Sequence, residues 1–113
     1  MITLDTLKEY GADTEDALAR CMNNADFYVM LVGKSLGDAN FAKLRQEIEA
    51  KNYDEAFSAA HALKGVVTNL SLTPLAEPVI EITESLRAKD TAKDYGPLLD
   101  KMDEQLAKLK ALA

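Results

Sequence analysis

The chain contains one histidine, His61, and Lys64 and Gly65 follow it at i+3 and i+4. On a helix those two positions stand directly beside the imidazole. A neutral imidazole nitrogen is a competent nucleophile near pH 7, because the ordinary pKa of the ring is about 6.5. A neighbouring ammonium can offset negative charge on a group in transfer. A glycine one turn further on leaves space for a bulky anion and for a partner surface. The chemistry that suits these residue types at this spacing is reversible phosphoryl transfer through phosphohistidine.

Each of the three has a plainer reading when taken singly. A lone exposed histidine is more often a surface residue without a role, a lysine a solvated charge, and a helix-interior glycine the mark of a close helix crossing. Only their conjunction on one face carries the functional argument. The element that must position them runs from Tyr53 to about Leu70, with Ala56, Ala60, Leu63, Val67 and Leu70 as its apolar stripe. At about 100° per residue, His61 falls roughly 140° from the stripe centre, Gly65 roughly 180°, Thr68 roughly 120° and Lys64 roughly 80°. The histidine is therefore expected at the surface beside the core. A mid-helix glycine costs about 1 kcal/mol relative to alanine, and its outward direction offers no packing reason for it.

Helix dominates the rest of the chain, since Ala, Leu, Glu and Lys are abundant and no segment alternates with period two. Short helices are expected over Leu4–Tyr10, from Asp13 to about Met22, and from Ala25 to Leu36. Asp38 can cap a helix reaching about Lys51, with Phe41, Leu44 and Ile48 inward, and Asn52 can cap the histidine-bearing helix. Thr73-Pro74 reads as N-cap and first residue of a helix to about Lys89, in which Pro78 removes a backbone bond and should bend the start. A last helix begins at Thr91 or Pro97 and ends near Leu112. Connections this short favour antiparallel neighbours. The expected fold is all-α, a single domain over residues 1–113: an antiparallel four-helix bundle over 38–112, with the short helices of 1–37 packed over one end.

Composition narrows the function classes. With 113 residues, 48% hydrophobic and 28% charged, the chain suits one ordinary globular domain, too small for a kinase lobe. Thirteen basic against nineteen acidic groups, a net charge of −6, speak against nucleic-acid or anionic-membrane binding. The single cysteine, Cys21, forms no internal disulfide, and no Cys/His cluster has metal spacing. Residues 1–10 carry no apolar targeting segment, so a cytoplasmic location is expected.

The stretch His61-Ala62-Leu63-Lys64-Gly65-Val66-Val67-Thr68-Asn69-Leu70-Ser71-Leu72 closely resembles the signature of the histidine-containing phosphotransfer (HPt) domain. That signature begins H-x-L-K-G and continues through small or polar residues to an apolar-Gly-apolar turn. The resemblance implies that His61 is the phosphoacceptor, Lys64 its electrostatic helper and Gly65 the clearance position. Serine at position 71 departs from the glycine usual at the turn, and a modest adjustment there is expected. The resemblance also implies a phosphocarrier, not an enzyme, that relays phosphoryl groups between aspartates of response-regulator receiver domains, one of which can belong to a hybrid histidine kinase; a monomer is expected because the bundle supplies its own core. The receiver would supply the Mg2+ ion, and this chain would bind no cofactor or metal. Phe57, at i−4 and roughly 100° from the stripe centre, is an expected apolar contact for the partner. Asp54 and Ser58 form a polar rim, Thr68 lies on the outward side, and Thr83 or Arg87 of the next helix could approach the phosphate.

Two other readings compete. Dimerisation helices of sensor kinases place an acid directly after the histidine and a proline soon after it, whereas Ala62 follows here and no proline occurs before Pro74. A non-catalytic helical adaptor fits most of the composition equally well, and only the His61, Lys64 and Gly65 face argues against it.

Overall fold

The computed structural model describes residues 1–113. Seven helices and no strand make up the chain: α1 (Leu4–Tyr10), α2 (Thr14–Arg20), α3 (Ala25–Ser35), α4 (Asn40–Glu49), α5 (Tyr53–Asn69), α6 (Thr73–Arg87) and α7 (Gly96–Ala111). The expected all-helical class is what is found. Apolar residues at three- and four-residue spacing dictate the buried faces. Ala56, Ala60, Leu63 and Val67 of α5 are fully buried, as are Leu75, Val79 and Ile82 of α6 and Leu99, Met102 and Leu109 of α7.

Antiparallel packing follows from the three-residue turns on either side of α5. Lys43 of α4 pairs with Glu55 of α5 at 3.3 Å, and Thr83 of α6 lies level with Ala60 of α5. Arg45 closes the bundle between its first and last members, its guanidinium reaching Asp100 at 2.9 Å and Asp103 at 2.8 Å on α7.

The N-terminal helices stack on the end where α5 turns into α6. Asp13 donates its backbone N–H to Ser71 O at 3.0 Å. The Arg20 guanidinium donates to Thr68 O at 2.9 Å and Asn69 O at 3.0 Å, and the Tyr28 hydroxyl to Leu70 O at 2.8 Å. The carbonyls of Asn69 and Leu70, which the end of α5 leaves without helical partners, are thereby satisfied, and Thr68 O gains a second donor beside the Ser71 N–H. Burial pushes the Tyr28 phenol up to about 12. Stacking also explains the 41 Å long axis, since the 17 residues of α5 span only about 25 Å. Gly11, at φ 114°, ends α1 in the left-handed region, and its missing side chain lets Pro74 approach: a Cβ there would lie 3.0 Å from the proline ring.

Helix ends fall within two residues of the expected boundaries, with four local corrections. The N-cap of α4 is Ala39, one residue after Asp38, although Asp38 Oδ1 still accepts from the Asn40 N–H at 2.8 Å. The N-cap of α6 is Leu72, so Thr73 and Pro74 are its first and second residues. Leu72 N–H closes α5 by bonding Val67 O, while its carbonyl accepts from Leu75 and Ala76. Asn52 occupies the N-cap of α5, but its side chain makes no capping bond. The chain before Gly96 is not helical, so Thr91 does not start α7. Helix α6 runs unbroken through Pro78, whose ring is buried.

Ser71 carries the departure from the HPt signature. Its φ is +53°, in the left-handed region that glycine occupies at low cost. The hydroxyl compensates by donating to Asp16 Oδ2 at 2.8 Å and accepting from Arg20 at 3.1 Å. Ser71→Ala keeps the strained backbone and loses both bonds, so it is expected to lower unfolding stability by about 1–2 kcal/mol. Ser71→Gly relieves the strain and should cost about 1 kcal/mol less than Ser71→Ala. Urea denaturation of both variants checks the order, and a neutral Ser71→Ala would contradict it.

Candidate functional site

Helix α5 delivers His61 to the surface because the opposite face is committed to the core. His61 is exposed, between buried Ala60 and buried Leu63. Gly65 is exposed one turn on, and a Cβ there would have no neighbouring atom within 4 Å. No helix crossing accounts for this glycine, which removes its plainer reading. Phe57, one turn before, is half-buried and stacks on the imidazole, with ring centroids 5.7 Å apart and an interplanar angle of 23°. The stack restrains the ring's orientation while leaving the histidine open to solvent.

Helix α6 supplies the second wall. Arg87 lays its guanidinium 5.2 Å from the centroid of the Phe57 ring, a cation–π contact with the same ring that stacks on the histidine. Glu84 sits between the cations. One of its oxygens accepts from Lys64 Nζ at 2.8 Å, and the other from Arg87 Nε at 3.2 Å. The hydrogen bond from Lys64 holds the Glu84 carboxyl below the ordinary carboxylate value, aided by attraction to Lys64 and Arg87 and opposed by partial desolvation. An open groove of about 490 Å³ runs from Phe57 and Arg87 toward the turn after α6, lined also by Tyr53, Asp54, Leu86 and Asp90.

The residues expected from the sequence separate into two groups. His61, Lys64, Gly65, Phe57 and Arg87 come together on one face, with exposed Ser58 on the same helix. Thr83 does not join them. It is fully buried, and its hydroxyl donates to Ala60 O at 3.2 Å and Val79 O at 2.7 Å, so it fixes α6 against α5 and cannot approach a phosphate at the surface. Thr68 turns its hydroxyl back onto its own helix, donating to Lys64 O at 2.6 Å. Val67 is core and Val66 marginal. Glu84 belongs to the site without any motif that singles it out. Its i,i+3 spacing to Arg87 is visible in the sequence, but its contact with Lys64 depends on the rotation of α6.

No group of three or more His, Cys, Asp or Glu side chains is arranged to hold a metal ion, and no helix is long and apolar enough to cross a membrane. The site is an open surface with an exposed imidazole, two cations and the Glu84 carboxylate between them. A surface of this kind can present an imidazole to a partner but encloses no substrate.

Two measurements check this geometry. Gly65→Ala is expected to raise unfolding stability by about 0.5–1 kcal/mol, because the helix gains propensity and the added methyl meets nothing. Denaturant titration reads this, and a destabilised variant would mean that the position is packed. Glu84's lowered value means that its ion pairs are present at neutral pH and lost as pH falls through that value, below the ordinary carboxylate range. Lys64→Ala should move the Glu84 titration midpoint, followed by NMR, upward toward the ordinary range.

In comparisons with known proteins, the family model of the Hpt domain matches residues 35–112, from the end of α3 to the end of α7. Neither the curated proteins nor the solved structures gave a match. Hpt domains act in histidine phosphotransfer within phosphorelays, as phosphocarriers without kinase activity of their own. Because the match covers well over half of its length and all four helices of its bundle, the chain belongs to the Hpt domain family.

Proposed function

We propose that His61 is the phosphoaccepting residue of this Hpt domain and that it relays a phosphoryl group between aspartates of receiver domains. The observation that carries this reading is the open space over Gly65 beside an exposed imidazole: a helix that forgoes about 1 kcal/mol of propensity where nothing packs is keeping a volume free for a visiting group. Lys64, the residue before Gly65, and Arg87, on the Phe57 side of the imidazole, supply charge for phosphoryl oxygens. Phe57 orients the ring, and Ser58 and the groove beyond Phe57 offer polar and apolar surface to the partner.

The transfer needs no proton from this chain. An imidazole nitrogen lone pair forms the N–P bond as the P–O bond to the partner's aspartate breaks, and that aspartate leaves as a carboxylate. The other ring nitrogen keeps its proton. The reverse step regenerates neutral His61. Mg2+ belongs to the receiver in this scheme, where carboxylates at the acyl phosphate would hold it and where it would neutralise phosphoryl charge. This chain contributes positioning and the two cations.

Labelling from a phosphorylated receiver domain, in wild type and His61→Gln, tests the reading. Wild type should acquire acid-labile, magnesium-dependent label, and the folded variant none. If His61 stays unmodified with several receivers and with phosphoramidate, the adaptor reading takes its place, in which the bundle binds partners without chemistry.

A further inference from the structure

Glu84 presents a problem for the site as described. The lysine beside His61 is not free to meet an incoming anion, because its ammonium is bonded to this carboxylate at 2.8 Å. The second cation near the ring is bonded to the same carboxylate through its other oxygen, at 3.2 Å. All three side chains are substantially exposed, so solvent weakens both pairs enough for them to exchange. One acid thus holds both cations of the site.

From this arrangement we propose that Glu84 is a positioning residue acting through Lys64 and Arg87: a counter-charge that must be displaced before these cations can serve a phosphoryl group, and that thereby limits how readily His61 is charged. The inference rests on the reading of His61 as phosphoacceptor. In the free protein Glu84 holds Lys64 toward α6. When a dianionic phosphoryl group arrives on the imidazole, Lys64 has two competing acceptors, and Glu84 adds like-charge repulsion to that competition. The phosphorylated form is disfavoured relative to a site without the carboxylate, so the phosphoryl group is passed on more easily than it is retained. A carrier that must receive and release gains from such a balance.

Phosphoramidate is the probe, since it needs no receiver surface. Its P–N bond breaks as the imidazole N–P bond forms, and ammonia leaves. Labelling of His61 by phosphoramidate, followed by 31P NMR and intact mass, should be about two- to fivefold faster in Glu84→Gln than in wild type, the rate equivalent of an exposed ion pair. The phosphohistidine of the variant should also hydrolyse more slowly. In a Lys64→Ala background the gain from Glu84→Gln should be smaller. Ionic strength of about 1 M, where the screening length is about 3 Å, should narrow the difference. A merely structural tie between α5 and α6 would shift thermal stability and leave the rates and their salt dependence unchanged. If wild type is labelled at His61 and Glu84→Gln is labelled no faster, this proposal falls and the phosphoacceptor reading stands. If wild type is not labelled at His61 at all, both fall.

Discussion

The arrangement of the site depends on the burial of one face of α5. Ala56, Ala60, Leu63 and Val67 are held between α4 and α6, and Ala59 is buried beside them. Three of these five are alanines, so the neighbouring helices can come close, and the rotation of α5 is set by where its small side chains lie. Once that face is inward, the 3.6-residue repeat leaves His61 and Gly65 no choice but the surface. The buried Thr83 hydroxyl, reaching across to Ala60 O, then fixes α6 at the level of the histidine. Glu84, the next residue, turns outward and meets Lys64. The chemistry of the surface is therefore a consequence of packing beneath it.

Electrostatically the site is balanced. The chain as a whole is acidic, yet the face around His61 brings together Lys64 and Arg87, with Glu84 between them. An isolated pair of cations would hold a phosphoryl group tightly, and an acidic face would repel it. A carboxylate shared between two cations gives an intermediate condition in which interactions can be exchanged at small cost. Phe57 contributes to the same balance, since its ring contacts the imidazole by stacking and the Arg87 guanidinium by a cation–π contact.

The N-terminal helices stabilise the far end of the site-bearing helix. α5 ends in a left-handed serine, and the carbonyls of Asn69 and Leu70 are taken up by Arg20 and Tyr28. Asp16 and Arg20 hold the serine hydroxyl. The same left-handed closure ends α4 at Lys51 and α6 at Lys89, each followed by a backbone bond from the next residue to a carbonyl five positions earlier. None of these three turns uses glycine. The only glycine in that role is Gly11, where a proline must come close.

Period and residue type alone determined much of this protein. The seven helices, the inward stripe of α5 and the outward direction of His61 and Gly65 were all legible, because helical periodicity converts spacing into direction without reference to neighbours. Helix boundaries were less so. Turns closed by lysine or serine lack the glycine signal, Thr73 lies inside α6 and not at its cap, and Asn52 sits at the N-cap of α5 without a side-chain capping bond. Tertiary structure alone decided the rotation of α6. A change of one residue in the part of α6 that faces α5 separates Thr83, buried and bonded to backbone, from Glu84, exposed and bonded to Lys64. Sequence spacing places residues on a face of their own helix, but which face meets a neighbour at a given level is set by how buried side chains of two helices interdigitate.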